Sequence, residues 1–180
     1  MLQWFIGFVA IALLAFTAVT FNELIVSRNG VRKTWSDIDV QLQRRHDLVP
    51  QLVAVVKGYA DHERGTLSAV AELRSRAQAS ASIAERGSVE GELAAQLTRL
   101  LALQENYPDL KASENFLQLQ RDLVDVEDRV QSARQAYNEA VLGYNTQIQN
   151  FPELLLARPF GFRAAEFFQA EDRAPVQVSD

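Results

Sequence analysis

The sequence of 180 residues contains no cysteine, only two histidines, and few helix breakers, with eight glycines and five prolines. The absence of cysteine excludes a disulfide framework, a thiolate metal site and thiol catalysis. Because Ala, Leu, Gln, Glu and Arg dominate the remainder, long stretches of the chain favour helix over strand. The composition therefore predicts an all-α protein with a single domain outside any membrane segment.

The chain also lacks a recognisable catalytic or metal-binding cluster. His46 and His62 would point about 160° apart on a continuous helix. The pair His62-Glu63 begins like a zinc motif, but Thr66 stands where the second histidine is needed. No glycine-rich phosphate loop, nucleophile elbow or Ser/His/Asp constellation occurs. A net charge of -5 without a basic aromatic face disfavours nucleic acid. We expect no enzyme, cofactor, metal or small-molecule substrate.

Charge is absent from the first 22 residues, which read MLQWFIGFVAIALLAFTAVTFN. A helix of roughly 20 apolar residues spans a hydrocarbon core about 30 Å thick. The run has no basic start and no small-residue cleavage site, so an uncleaved anchor over residues 1–26 is favoured over a removed signal peptide. A buried soluble helix without a polar face is disfavoured. The expected membrane-anchor side chains are Trp4, Phe5, Ile6, Phe8, Leu13, Leu14, Phe16 and Phe21.

Basic residues follow this run closely. Arg28, Arg32 and Lys33 come within about 12 residues of it, and basic flanks collect on the cytoplasmic side. The expected orientation has a short N-terminus outside and the helical body inside. These three side chains are expected to meet lipid head groups, each worth about 1 kcal/mol near anionic lipid.

Apolar residues then form one helical stripe. Its members are Val31, Trp35, Ile38, Leu42, Val49, Leu52, Val56 and Tyr59. The steps of three, four and seven predict a helix that continues from the anchor as one rod. Pro50 lies within the stripe and predicts a kink, in preference to a new helix with Asp47 as N-cap.

Arg45 occupies a position of this stripe where an apolar residue is expected. An unpaired buried charge is very costly, so its guanidinium must reach water or meet a carboxylate. Both alternatives stay open at this point. Glu127, beside the stripe of a later helix, is the candidate partner.

A second helix is predicted through Leu67 and Ala77, with Gly87 as its C-cap and Ser88 as N-cap of a short helix that follows. Tyr107-Pro108-Asp109 is predicted to be a turn.

The clearest pattern in the chain is a seam stepping alternately by three and four. It comprises Phe116, Leu119, Leu123, Val126, Val130, Ala133, Tyr137, Ala140 and Tyr144. This spacing predicts a coiled-coil-grade helix of about 35 residues, capped by Ser113 and roughly 50 Å long. Short connections make neighbours antiparallel, so residues 27–168 are expected to form an elongated up-and-down four-helix bundle.

The segment 151–168 is rich in phenylalanine. It contains Phe151, Phe160, Phe162, Phe167 and Phe168, punctuated by Pro152, Pro159 and Gly161. Either the segment folds over the end of the bundle and closes its core, or it presents an exposed patch to a partner or another subunit. Residues 169–180 are expected to form a disordered tail.

Four segments of the chain closely resemble the LemA family. They are NGVRKTWSDIDVQLQRRHDLVPQLV (29–53), GYADHE (58–63), ENYPDLKASENF (105–116) and YNEAVLGYNT (137–146). Gln51 departs from the pattern, since the family more often has Asn there. The resemblance draws attention to the positions Arg44, Arg45, Asp47, Pro50, His62, Glu63, Tyr107, Pro108, Tyr137 and Asn138.

This resemblance implies a bacterial cell-membrane protein that crosses once, with a helical body and no catalytic residues. One relative in the family takes part in magnetosome formation. The favoured function is a membrane-anchored scaffold that binds membrane lipid and forms homo-oligomers through its span and long helices. The alternative is an accessory subunit that regulates a membrane-protein partner, such as a protease or sensor, through the 151–168 segment.

Overall fold

The computed structural model describes residues 1–168, and this part of the chain is helical without a β-strand. The helices are α1 (Leu2–Tyr59), α2 (Arg64–Ala79), α3 (Ile83–Ala102), α4 (Pro108–Lys111), α5 (Glu114–Gln149) and α6 (Leu154–Ala157). One turn of 3₁₀ helix at Leu103–Glu105 precedes α4. The all-α prediction is confirmed, while the predicted tail at 169–180 lies outside the described residues.

The chain divides into two compact units, each with part of α1 and part of α5. The first unit comprises Met1–Asp37 and Gln135–Glu166. The second unit comprises Ile38–Arg134 and, among the described residues, Phe167 and Phe168.

Helix α1 confirms that the apolar run and the first stripe form one continuous helix. Pro50 lies inside α1, so no new helix begins there and Asp47 is not an N-cap. The stripe is buried as expected except at Trp35, which is half-buried, and at its end, where Tyr59 is 46% exposed. Helix α1 ends at Tyr59, and the residue that follows the helix, Ala60, is buried in place of Tyr59.

The predicted boundary at Gly87 and Ser88 is wrong, because both residues lie within α3. The break falls at residues 80–82, where Ser82 has extended backbone angles and its hydroxyl accepts from the Glu85 N–H at 3.1 Å. A serine followed three residues later by glutamate is the sequence signature of a capping box. Gly87 is buried in the helix interior.

The turn predicted at Tyr107-Pro108-Asp109 is instead the start of α4. Pro108 occupies the first turn of this short helix, where a missing N–H costs no hydrogen bond. Leu110 of α4 is fully buried.

Helix α5 confirms the long seam. The Ser113 hydroxyl accepts from the Phe116 N–H at 3.4 Å, as expected of the cap. Every seam position is buried except Ala133 and Ala140, which are half-buried.

The core of the second unit lies among four long helices and the short α4. Its members come from α1, α2, α3, α4 and α5, and include Val49, Leu52, Val56, Leu67, Val70, Leu73, Leu93, Leu97, Leu100, Phe116, Leu119 and Leu123. Residues 60–63 and 80–82 connect α1 to α2 and α2 to α3, and such short connections make sequential helices antiparallel neighbours. This unit is the helical bundle expected from the periodicity.

Candidate functional site

The most unusual feature of the second unit is a buried ion-pair cluster. Arg45 is 2% exposed on α1, and Glu90 is 3% exposed on α3. Arg45 Nη1 donates to Glu90 Oε2 at 2.9 Å, and Arg45 Nη2 donates to Glu127 on α5. The guanidinium therefore joins three helices. The expected partner Glu127 is confirmed, and the alternative in which Arg45 reaches water is wrong.

Glu90 was missed by sequence reasoning because the wrong start of α3 placed it in a first turn. In the actual register, Glu90 precedes Leu93, Leu97 and Leu100 by steps of three, four and three. It occupies a seam position of α3, just as Arg45 occupies a seam position of α1. Opposite charges interrupting two apolar seams are the signal that identifies this pair.

His46 completes the cluster. Its ring is 1% exposed, and Nε2 lies 2.7 Å from Glu90 Oε1. Because a carboxylate only accepts, Nε2 carries the proton in this bond. Among the described residues, His46 Nδ1 is buried without a hydrogen-bond partner. Both oxygens of Glu90 are thus engaged by residues of α1, one by a guanidinium and one by an imidazole.

Arg134 lies on α5 about two turns beyond Glu127. Burial lowers the pKa of its guanidinium, Glu127 acts in the opposite direction, and the charge of Arg45 lowers it further. Its Cζ lies 5.3 Å from the centre of the Phe168 ring, a cation–π distance. Phe168 itself is 1% exposed. The last described residue is therefore fixed against α5.

The break in backbone bonding at Pro50 is repaired from α2. A proline inside a helix cannot donate to the carbonyl four residues earlier, which here belongs to His46. Arg74 Nε donates to that oxygen at 2.7 Å. Sequence reasoning missed Arg74, because nothing in its own helix indicates the orphaned carbonyl on α1.

Two further positions singled out by the resemblance meet in the second unit. The Tyr107 hydroxyl bonds Glu63 Oε1 at 3.2 Å. Desolvation raises the pKa of the Tyr107 phenol, and the bond to the Glu63 carboxylate raises it further. This contact ties the residue before α2 to the residue before α4. His62, beside Glu63, is exposed.

A shallow groove of about 330 Å³ lies on the surface of the second unit. Its acidic groups already accept hydrogen bonds from neighbours on their own helices: Asp47 from Gln43 at 2.8 Å, and Asp125 from Arg129 at 2.8 Å. The lining residues are Arg44, Asp47, Leu48, Asp122, Asp125 and Val126. No group of three or more His, Asp or Glu within residues 1–168 is arranged to hold a metal ion.

The first unit holds the segment after α5 by polar contacts. The Asn145 side chain accepts from the Ala165 N–H at 2.8 Å and donates to the Ala165 carbonyl at 2.9 Å. The Tyr137 hydroxyl donates to the Glu166 carbonyl at 2.8 Å. Burial raises the pKa of Tyr137, and the Glu166 charge adds to that effect. The Trp35 ring packs 5.4 Å from the Tyr137 ring. Asn138 is half-buried.

The phenylalanines of the 151–168 segment are partly buried and partly exposed. Phe162 and Phe168 are buried, whereas Phe151, Phe160 and Phe167 are 79%, 58% and 37% exposed. In the first unit, the Phe160 and Phe162 rings meet Phe21 edge-on, and Arg28 lies over the Phe162 ring at 5.0 Å.

The N-terminal part of α1 is apolar and uncovered. All residues from Met1 to Val19 are exposed except Thr17, and Phe21 is half-buried. The exposed fraction reaches 85% at Trp4, and the other expected anchor residues from Phe5 to Phe16 are at least 50% exposed. Arg32 and Lys33 are exposed. Among residues 1–168, α1 alone is long and apolar enough to cross a membrane.

An all-α chain with an uncovered apolar first helix and a helical body closed around an internal ion pair defines a membrane-associated helical protein. Comparison with known sequences gives the particular family. The chain belongs to the LemA family, whose sequence model matches residues 34–179.

Several curated relatives align with nearly the whole chain. Magnetosome protein MamQ 2 of Paramagnetospirillum magneticum is 25% identical, over 93% of this chain and 71% of the relative. Magnetosome protein MamQ of Magnetospirillum gryphiswaldense is 24% identical over the same shares. Protein LemA of Metamycoplasma hominis is 28% identical, over 87% of this chain and 72% of the relative. The resemblance recognised in the sequence is thereby confirmed.

Proposed function

We propose that this LemA-family chain is a single-pass membrane-anchored scaffold that self-associates and catalyses no reaction. The observation that carries the proposal is the exposure of apolar side chains on every side of α1 from Leu2 to Val19. Exposure of such an apolar helix to water is unfavourable, whereas a bilayer covers the helix completely. The names of the magnetosome relatives give a cellular structure and no reaction, which agrees with a non-catalytic role.

The internal chemistry also supports a structural role. The strongest polar cluster, around Arg45, has its charged groups bonded to one another, and Glu90 has no oxygen left for a substrate. A closed ion-pair network fixes helix register, which is a property of a scaffold.

The anchor is tested by fractionation of cells that express the full chain. We expect the protein to stay in the membrane after an alkaline carbonate wash and to be released by detergent. A variant with Leu13→Lys and Leu14→Lys places two charges at the middle of the span and is expected to insert poorly. The matched control carries Val124→Lys, at a 54% exposed apolar position of α5, and is expected to remain in the membrane. Equal behaviour of the two variants contradicts the anchor.

The orientation proposed is a short N-terminus outside the bacterial inner membrane and a cytoplasmic body, because Arg28, Arg32 and Lys33 follow the span. A fluorescent protein that matures only in the cytoplasm, fused after Asp180, is expected to fluoresce. A fusion of alkaline phosphatase at the same place is expected to be inactive. The reverse pair of results overturns the orientation.

Self-association is proposed from the alanine-rich span, because small residues let two spanning helices approach closely, whereas the seam of α5 is already buried within the chain. Chemical cross-linking in native membranes is expected to yield dimers or larger species of this chain. A cross-linking pattern that contains monomer only would falsify this part of the proposal.

A second candidate function is an adaptor that regulates another membrane protein. The observation in its favour is the exposed apolar surface around Phe151 and Phe160. Replacement of Phe151 and Leu155 by serine should then abolish recovery of one dominant partner, while the Val124→Ser control should retain it. Equal recovery with both variants argues against the adaptor.

A further inference from the structure

Phe160, one of the exposed apolar residues after α5, lies beside the end of the proposed span. The Phe160 and Phe162 rings stand 5.1 Å and 5.7 Å from the Phe21 ring, both in edge-on geometry. These contacts all belong to the first unit. The end of the segment 151–160, at Phe160, therefore contacts the last turn of the apolar run of α1.

The length of the apolar run of α1 sets the depth of the Phe21–Phe160 contact in the bilayer. Residues from Leu2 to Phe21 extend about 30 Å in a helix, which equals the hydrocarbon thickness of a typical bilayer. Burial by the rest of the first unit begins at the same level, since Thr20 is 4% exposed and Leu24 is fully buried. Phe21, and with it Phe160, thus falls at the boundary between acyl chains and head groups.

The exposed side chains of the segment suit a lipid interface. Phe151, Leu155 and Phe160 are 79%, 63% and 58% exposed, and Arg158 between them is exposed as well. Aromatic and leucine side chains with a neighbouring arginine are characteristic of helices and loops that lie at the bilayer surface. A basic group there also meets anionic head groups.

Residues on the buried side of the segment hold it in place. Ala157 and Phe162 are buried, and the Phe162 N–H donates to the Ala157 carbonyl at 3.0 Å. Farther along, the two Asn145 bonds fix Ala165. The segment therefore packs through Ala157 and Phe162, while Phe151, Leu155 and Phe160 stay exposed.

We propose that residues 151–160 form a second membrane contact, in which Phe151, Leu155 and Phe160 insert at the lipid interface next to the span. The inference rests on the proposed span, because Phe21 sets its depth. A lipid occupant is favoured over a protein because Phe160 touches the apolar run itself, so the surface is continuous with one that lipid already covers.

The absence of cysteine allows this contact to be measured in the full chain. Single variants Leu155→Cys, Leu14→Cys and Val124→Cys each place a thiol at an exposed apolar position. Each is labelled with an environment-sensitive nitrobenzoxadiazole dye and reconstituted in phosphatidylcholine and phosphatidylglycerol vesicles. Quenching is recorded with lipids that carry a nitroxide near the head group or deep in the acyl chain.

We expect the Leu155 label to be quenched at least twofold more by the shallow nitroxide than by the deep one. The Leu14 label should show the opposite order, and the Val124 label should remain unquenched. Phe151→Cys repeats the Leu155 measurement at an independent position, and circular dichroism checks that each variant retains its helix content.

The failures of the two proposals are distinguishable. If the Leu14 label is quenched but neither the Leu155 nor the Phe151 label is, the second membrane contact is overturned and the span stands. If the Leu14 label is itself unquenched, the span is overturned, and the second contact falls with it. Quenching of the Val124 label to the same extent as Leu155 also overturns the inference, because the signal is then not specific to this segment.

Discussion

Replacement of Arg45 by methionine tests whether the buried ion pair is required for stability. Methionine is unbranched and flexible enough to fill the space of the arginine stem. The substitution leaves Glu90, 3% exposed, with its charge uncompensated and only His46 as a partner. Breaking a buried pair from one side costs about 3–5 kcal/mol, against a total stability of about 5–15 kcal/mol for a domain. A loss of roughly a fifth or more of the free energy of unfolding is expected.

The double variant Arg45→Met with Glu90→Gln separates the charge from the packing. It removes both buried charges, while the amide oxygen of residue 90 can still accept from His46 Nε2. Replacing a whole buried pair by well-packed hydrophobic residues is often nearly neutral, but the buried amide NH2 of Gln lacks an acceptor beside methionine and costs about 1–3 kcal/mol. We therefore expect the double variant to be more stable than Arg45→Met alone, with a coupling energy of at least 2 kcal/mol between the sites.

The assay is urea unfolding of the full chain in a mild detergent, followed by far-ultraviolet circular dichroism at constant ionic strength. The matched control is Arg129→Met, which breaks a 2.8 Å pair with Asp125 whose side chains are both more than half exposed. An exposed pair of this kind contributes about 0.5 kcal/mol or less. The reasoning is refuted if Arg45→Met costs no more than Arg129→Met, or if the double variant is as unstable as the sum of its singles.

Three further outcomes are expected. Arg74→Leu leaves the His46 carbonyl unsatisfied and should lower the free energy of urea unfolding by about 1–2 kcal/mol, an effect that Pro50→Ala should relieve in a double-mutant cycle by restoring an N–H. Asn145→Ala removes the two hydrogen bonds from this side chain to the Ala165 backbone. The amide hydrogen-exchange rates of residues 160–166 should increase by at least tenfold, with little change at the core of the second unit. Burial raises the pKa of Tyr144, with Arg28 and Arg32 opposing; the folded state therefore holds the phenol proton more tightly than the unfolded chain, and this contribution to stability is lost as the pH rises above 10. Tyr144→Phe should flatten that fall in stability.

The sequence predicted what depends on periodicity along one helix. The seam from Phe116 to Tyr144 fixed both the extent of α5 and its buried face, since each apolar position repeats the same physical demand. The charge-free run and the stripe after it likewise predicted α1. Arg45 could be recognised as unusual because a charged side chain in an apolar seam must either reach water or pair with an opposite charge.

What could not be predicted depends on pairing between helices. The start of α3 was missed because glycine was given more weight than the Ser82 and Glu85 capping pattern, and Gly87 in fact occupies a buried helical site. With the wrong start of α3, Glu90 could not be recognised as a seam residue or as the partner of His46. The division of the phenylalanines into buried and exposed ones depends on Asn145 and Ala157, whose contacts leave no periodic trace in the sequence.

The bond from Arg74 to the His46 carbonyl has a consequence for how related chains vary. A proline at position 50 is tolerated in the middle of α1 because a donor from α2 occupies the carbonyl that the proline leaves open. A chain with any other residue at position 50 supplies that donor from its own backbone. Positions 50 and 74 are thus expected to change together across the family, proline accompanying a long donor side chain, although they lie on different helices.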